Sequence, residues 1–361
     1  MDRAAASTMT TRRNVPLGPF TTLRVGGPAD VFARAEDDDA IIVALRAAED
    51  SDRPAWILGG GSNVLIADEG FRGTVIEIAT QGIVIAPDLG HAQLTAASGE
   101  RWDDVVRTAV EHGLGGIECL SGIPGRVGAT PIQNVGAYGQ EVADTIAAVR
   151  VFDRHEAREV TLAPEDCAFA YRDSRFKRES DRFVVLAVRF RLTPGAPATP
   201  RYAQLREALA SDPSPSLARV RETVLALRRS KSMVFDEGDP NHRSAGSFFT
   251  NPVVDDAVAD AVATKAIADG TIDDPRRMPR YPAPSGVKLA AGWLIEAAGM
   301  PRGYGDGPVG LSTRHALALV NRGDATAADV VAFARHVRDR VRDTFGVTLV
   351  PEPVFVGLDP L

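Results

Sequence analysis

Cysteine is scarce in this sequence: Cys119 and Cys167 are the two in 361 residues. Their separation fits neither a zinc motif nor a disulfide framework, so a reducing, cytoplasmic setting is expected. Cys119 has two readings on its own, a flavin tether or a buried structural thiol. The second is expected, because an unpaired cysteine behaves as a small apolar residue. The histidines are few, and His91, His112, His155, His242 and His336 show no ligand spacing, so no metal is expected. No apolar run approaches the length of a membrane span. Met1 to Arg13 lacks the apolar stretch of a secretory signal and is read as a frayed extension. Basic charge is in deficit, 41 residues against 48 acidic, which argues against a general nucleic-acid binder. What remains is an ordinary soluble composition, 44% apolar and 25% charged, long enough for two or three domains with a substantial core.

Glycine is the residue that is present in concentrated form. Ser121 to Gly139 reads SGIPGRVGATPIQNVGAYG, with five glycines, two prolines and one charge, Arg126. Such a stretch lets backbone approach a ligand, and successive N–H groups in its turns can form anion-binding nests. Pro124 and Pro131 stiffen it, and Gln133, Asn134 and Tyr138 supply polar tips. It is too apolar to read as disordered, and a long solvated turn is the bland alternative. A second stretch, Gly59-Gly60-Gly61-Ser62-Asn63, follows the apolar run Trp56-Ile57-Leu58. It matches neither the dinucleotide pattern nor the P-loop, because no lysine follows the glycines. Two such loops point to a ligand with two phosphates.

Periodicity supplies the rest of the organisation. Strands are expected at Pro28–Ala35, Ala55–Leu58, Gly73–Ala79, Gly82–Ala86, Gln93–Ala97, Thr145–Phe152, Arg182–Leu192, Ala316–Val320 and Val347–Val356. Helices are expected at Asp37–Glu49, Glu100–His112 (stopped by Gly113), Pro164–Ala170, Leu217–Arg229, Ser285–Ala298 and from Thr326 to Gly346. Asp329 sits in the reciprocal capping position to Thr326. Thr193–Arg201, with three prolines, reads as a linker or excursion. The basic cluster Arg228-Arg229-Ser230-Lys231 has a bland explanation at a helix C-terminus. Together these indicate an α+β protein.

Several blocks carry a resemblance. The long loop, FTTLRVGGPA (Phe20 to Ala29), GGGSNVL (Gly59 to Leu65), YRDSRFK (Tyr171 to Lys177), AGSFFTNP (Ala245 to Pro252) and PEPVFVG (Pro351 to Gly357) occur in an order that resembles the UDP-N-acetylenolpyruvoylglucosamine reductase family. It is also called UDP-N-acetylmuramate dehydrogenase, or the MurB family. The resemblance spans about Asn14 to about Leu358. It implies a vanillyl-alcohol-oxidase/PCMH-type FAD-binding fold of two α+β subdomains plus a C-terminal α+β substrate-binding domain. Residues 1–13 would be the extension and 14–80 the first FAD subdomain. Residues 81–235 would be the second FAD subdomain and 236–346 the substrate domain, with a strand near 347–358 returning to the active site.

The activity implied is NADPH-dependent reduction, through FAD, of UDP-N-acetylglucosamine enolpyruvate to UDP-N-acetylmuramate. An enol-ether carbon does not welcome hydride. The site must therefore stabilise charge on the adjacent carboxylate, as an enediolate, and protonate the second carbon. The resemblance assigns the clamp to Arg172, enolate stabilisation to Glu352, with a carboxyl expected to be raised in pKa by burial, and the proton to Ser247. The plain readings are an Arg172–Asp173 surface pair, a turn serine and a solvated strand end. Non-covalent FAD is implied on Arg24, Gly59, Gly60, Gly61, Ser62, Asn63, Gly122, Ile123, Pro124, Gly125, Val127, Gly128, Ala129, Gln133, Asn134, Gly136 and Ala137. Substrate contacts are implied at Tyr138, Tyr171, Tyr202, Lys231, Asn251 and His315. His315 departs from relatives with glutamine there, and Thr250 replaces a lysine found in some. The competing readings are an FAD-dependent alcohol or sugar oxidase of the same fold, and a non-catalytic flavin or nucleotide-sugar binder.

Overall fold

The structure is a computed structural model and describes residues 8–195, 202–283, 285–359 and 361. The chain divides into two units. The first comprises the segment ending at Val15, Ala29–Gly60 and Arg72–Phe235. The second comprises Pro16–Pro28, Gly61–Phe71 and Asp236–Leu361. Each is described by itself.

The first unit holds two sheets. One has the strand order Met9–Pro16, Pro28–Ala35, Phe71–Ile78, Ala55–Leu58, the last pair parallel. Helix α1 (Asp38–Asp50) buries Ala40, Ile41, Ala44, Leu45 and Ala48, and the Asp37 carboxylate accepts the Ala40 N–H at 2.7 Å as its cap. That face joins Ala33, Ala35, Ile76 and Ile78 with Phe152, Val184 and Leu186 of the second sheet in one core. The second sheet is antiparallel along the order Arg158–Leu162, Ile146–Asp153, Phe183–Pro194, His91–Ala97, Ile83–Asp88. Helix α2 (Trp102–Glu111) covers it with Trp102, Val105, Val106 and Ala109. Burial of each large apolar side chain contributes roughly 1.5–3 kcal/mol. Trp102 adds direction, because its indole N–H donates to the Leu120 carbonyl at 3.2 Å and so fixes the start of the long glycine loop. Three helices follow: α3 (Arg175–Arg178), α4 (Ala203–Ala208) and α5 (Leu217–Ser230), which Ser216 caps.

In the second unit, Val64–Ile66 pairs in parallel with Val354–Val356. Short antiparallel ribbons join Val253–Val254, Gly286–Leu289 and Arg280–Ala283, and Val309–Leu311 with Leu319–Asn321. Helices α6 (Asp256–Ala268), α7 (Ala291–Ala297) and α8 (Ala327–Phe345) surround a core that includes Leu23, Val25, Leu65, Phe248, Phe249, Val337 and Val341. Helix α8 carries the expected capping box, Thr326 with Asp329, and ends at Gly346 with φ 71°. The Asp68 carboxylate also accepts the N–H groups of Ala327 and Ala328, at 2.7 and 3.0 Å. A residue distant in sequence thus satisfies two N–H groups that every helix start leaves unpaired.

Five sequence expectations are corrected. Residues 9–13 are not frayed but form most of an outer strand, whose polar surface and Arg12 and Arg13 suit an exposed edge. Ser285–Ala298 is not one helix: Gly286, at φ 132°, opens the strand Gly286–Leu289, and α7 begins only at Ala291. Pairing on both sides of that strand outweighs its local helical pattern. Of Val347–Val356, the strand is Val354–Val356. The expected strand at Ala316–Val320 lies at Leu319–Asn321. The linker expected at Thr193–Arg201 is in part the end of a strand, through Pro194, and residues 196–201 lie outside the described residues.

Candidate functional site

In the first unit the two glycine stretches meet. A Cβ built on Gly60 would sit 2.7 Å from the Gly125 Cα, so only glycine permits this contact. A Cβ on Gly59, by contrast, would make ordinary contact with Arg126, at 3.7 Å. Much of the long loop is internally satisfied. The Gly122 N–H donates to Asp103 at 2.6 Å, Val127 to the Glu100 carbonyl at 2.9 Å, and Gly128 to the Ser98 carbonyl at 2.8 Å. Arg126 turns inward and donates to the Gly99 carbonyl at 2.8 Å, and burial lowers its pKa. The loop is therefore preformed, and its one charge braces it.

Asp103 links this loop to α5. Its carboxylate receives two bonds from the Arg221 guanidinium, at 2.7 and 2.8 Å. Burial pushes the Asp103 carboxyl up, but the Arg221 and Gly122 bonds outweigh it and the net pKa shift is downward. Seven residues further along α5 lies Arg228. It donates to the Met233 carbonyl at 2.7 Å, while its buried Nε has no hydrogen-bond partner among the described residues. That Nε would lie 3.4 Å from a Cβ on Gly122, whose absence leaves it room. Burial lowers the Arg228 pKa to about 10. A buried cationic edge with an orphaned donor beside a glycine loop suits an anion.

The same region gathers three of the expected substrate residues. Tyr138 and Tyr202 meet edge to face at 5.5 Å, and the Lys231 Nζ stands 5.8 Å from the Tyr138 ring centre. Lys231 donates to Gln204 at 2.6 Å. Burial, then the Arg228 charge, lowers the Lys231 pKa, and burial raises that of Tyr138. Sequence reasoning offered the helix dipole as a bland explanation of the basic cluster, singled out Lys231 from it and passed over Arg228. The signal was its i+7 spacing from Arg221, which puts both on one helix face.

Arg172 is also in the first unit, at φ 54°, a left-handed backbone that a non-glycine residue seldom adopts. Its guanidinium donates to the carbonyls of Asn134 (3.3 Å) and Gly136 (2.7 Å) and lies 5.4 Å from the half-exposed Tyr171 ring. Asp173 pairs with Arg178. The segment is stitched to the glycine loop by Ser174 Oγ to the Ile132 carbonyl, 2.7 Å, and Asn134 Nδ2 to the Ala170 carbonyl, 3.0 Å. The Asn134 side chain is spent on these ties, on Glu141 and on the Ala143 N–H, so it supports the loop rather than reaching outward. Gln133 is buried. Cys119 is buried in a cluster with Leu205, Val220 and Val224. Burial, then Glu118, raises its thiol pKa to about 12, which does not suit a tether.

The second unit places Ser247 next to Glu352. Gly246, at φ 71°, turns the chain into an extended segment. The Phe248 N–H then donates to the Leu317 carbonyl (2.7 Å), and the Glu352 N–H donates to the Phe248 carbonyl (2.8 Å). Both Ser247 and Glu352 are half-buried. Asn63, after the triple glycine, joins them: its Nδ2 donates to the Glu352 carbonyl at 3.3 Å and its carbonyl accepts the Val354 N–H at 3.0 Å. His315 lies two residues before Leu317, and its carbonyl accepts the Ala318 N–H. The Asn251 side-chain oxygen accepts the Ala291 N–H at 2.9 Å and so supports α7. Arg24, at φ 58°, donates to the Pro19 carbonyl at 2.6 Å and borders a cavity of about 410 Å³ with Glu237, His242, Arg243 and Gly323. The adjoining Thr22 N–H donates to the Gly61 carbonyl at 3.0 Å.

Comparison with known proteins gives this geometry a lineage. Residues 29–162 match the profile of a family described as an FAD binding domain. Residues 239–356 match that described as the C-terminal domain of UDP-N-acetylenolpyruvoylglucosamine reductase. A protein of that name from Streptomyces avermitilis is 49% identical over 96% of this chain and 95% of its own length. One from Mycobacterium sp. (strain MCS) is 52% identical over 95% of each. The crystal structure of the reductase from Thermus caldophilus superposes with a TM-score of 0.65 at 27% identity, covering 97% of this chain and all of that one. The glycine contact at Gly60 and the cationic edge at Arg228 fit the flavin dinucleotide that such a domain holds. The chain belongs to the UDP-N-acetylenolpyruvoylglucosamine reductase family and is an FAD-dependent oxidoreductase.

Proposed function

We propose that the chain reduces UDP-N-acetylglucosamine enolpyruvate to UDP-N-acetylmuramate at the expense of NADPH, a cytoplasmic step in peptidoglycan precursor synthesis. FAD, held against the glycine stretches at residues 59–63 and 122–129, would supply hydride transfer between NADPH and the enolpyruvyl group. The remaining work belongs to side chains. Arg172 holds the enolpyruvyl carboxylate, and Glu352 in its acid form donates to the same group as charge builds there. Ser247 delivers a proton to the neighbouring carbon once that charge has formed. Lys231 neutralises the substrate diphosphate, and Tyr138 and Tyr202 cover it. Tyr171, Asn251 and His315 complete the contacts to the nucleotide sugar.

The observation that carries this reading is the setting of Arg172. A guanidinium fixed by two carbonyls, on a backbone held at positive φ, is oriented before any ligand arrives. The test is anaerobic. One equivalent of NADPH should bleach the yellow protein, and the enolpyruvyl nucleotide sugar alone should restore the colour. Bleaching with no recovery on that substrate would overturn the assignment. Recovery with a simple alcohol-derived carbonyl instead would favour the oxidase reading.

A further inference from the structure

Glu118 has no part in the chemistry above, yet it is fully buried. Its carboxylate accepts the Gly116 N–H at 2.6 Å and the Gln140 side-chain amide at 2.7 Å. Gln140 returns its own oxygen to the Cys119 N–H, at 2.8 Å. The two side chains thus close a ring of hydrogen bonds around the turn at 116–119. A buried carboxylate held only by neutral donors is costly to keep, and an incomplete network of this kind is worse than an apolar one.

What the ring holds is the tip of the long glycine loop. Gln140 begins the return strand of a small ribbon, paired with Ala137, while Glu141 pairs with Gly136. The turn between them is Tyr138-Gly139, at φ 50° and 85°, the left-handed pair that a two-residue hairpin requires. Tyr138 is strained there and needs support from outside the turn. Across the ribbon, the Gly136 carbonyl receives the Arg172 guanidinium at 2.7 Å. One short ribbon therefore positions both an aromatic cover and a cation.

We propose that Glu118 and Gln140 are positioning residues, a brace that sets Tyr138 and, through the Gly136 carbonyl, Arg172. The inference rests on the function proposed above, in which Arg172 acts on the substrate carboxylate. Displacement of that guanidinium by about 1 Å is expected to slow the substrate half-reaction by about tenfold or more.

The test is a cycle of Glu118→Gln, Gln140→Glu and the double variant on the FAD-loaded enzyme. Rapid mixing would follow bleaching by NADPH and reoxidation by the enolpyruvyl substrate. Glu118→Gln alone sets two amides face to face and leaves one N–H unmet. Gln140→Glu alone sets two carboxylates in contact. In the double variant every bond returns: the amide at 118 accepts from Gly116 and donates to the carboxylate at 140, which accepts the Cys119 N–H. Each single change should slow reoxidation about tenfold or more, more than it slows bleaching, and the double variant should recover to within about threefold. Singles that reoxidise at the wild-type rate overturn the brace, as does a double variant no better than the singles. Should the wild type itself fail to reoxidise, the proposed function falls instead. If a single variant fails to fold, the double variant still decides, because it must fold and turn over.

Discussion

Neighbouring glycines in GGGSN are expected to answer the same substitution differently. Gly60→Ala places a Cβ 2.7 Å from the Gly125 Cα, 3.1 Å from its carbonyl carbon and 3.4 Å from the Arg126 nitrogen. All three are backbone atoms, and the loop that carries them is pinned. The Trp102 N–H donates to the Gly125 carbonyl at 3.1 Å and Arg126 to the Gly99 carbonyl at 2.8 Å. Restoring ordinary contact needs about 0.7 Å of movement, which breaks or bends those bonds. Overpacking of this kind costs about 1–3 kcal/mol, hence an FAD dissociation constant raised roughly five- to 150-fold if the cost falls on the bound state. If it falls on the fold itself, the melting temperature of the apoprotein drops. Gly59→Ala meets only Arg126 side-chain carbons at 3.7 Å and should do neither. The assay is fluorescence titration of apoprotein with FAD, with thermal melts of each variant beside the wild type. A Gly60→Ala protein that binds FAD and melts as the wild type does, or a Gly59→Ala protein that fails equally, would refute the contact.

Further outcomes can be checked with the same protein. Asp103→Ala should lose roughly 1–3 kcal/mol at pH 7, the lower end reflecting the partial exposure of the pair. The Asp103 pKa is depressed in the fold, so its contribution is present above the ordinary carboxylate value near 3.8 and fades as pH falls through the folded pKa. Urea unfolding at pH 7 and near pH 3 should show the wild-type advantage shrinking, and an advantage unchanged at low pH would contradict it. Burial raises both thiols to about 12, so the native enzyme should give no thiol titre at pH 8 and both thiols after unfolding. A thiol that reacts in the native state would place Cys119 or Cys167 at an accessible surface. Ser247→Ala should keep bleaching by NADPH while slowing reoxidation by about 10²-fold or more, and an unchanged reoxidation rate would remove Ser247 from proton transfer.

Local chemistry announced much of this fold. Thr326 with Asp329 and Gly346 delimit α8 because capping is set by residues within a turn of the helix end. The glycine stretches were legible because only glycine tolerates contacts such as that at Gly60. Less legible were features made by distant partners. Glu118 and Gln140 meet only because the ribbon folds back. Arg228 was hidden by an adequate local explanation, the helix dipole. The strand Gly286–Leu289 exists by virtue of its neighbours, and Met9–Pro16 has no apolar face to show. Ser247 and Glu352 were placed by resemblance, and their adjacency depends on a backbone bond between Phe248 and Glu352 that no spacing announces.

The Asp68 cap on α8 and the pairing of Val64–Ile66 with Val354–Val356 bear on how the chain is made. A ribosome releases residues 61–71 early and their partners almost last. Until Ala327–Phe345 emerges the segment behind the triple glycine lacks the helix it caps, and until Val356 emerges it lacks its strand neighbour. Contacts of such sequence separation are slow to close and expose apolar surface meanwhile. A ribosome stalled short of the last helix would therefore hold a chain whose residues 64–68 are synthesised but still lack their strand partner and the helix that Asp68 caps. Cutting the gene at Asp236 to express a free C-terminal half would remove the same partners, so the second unit is a product of both ends of the chain and not a transferable module.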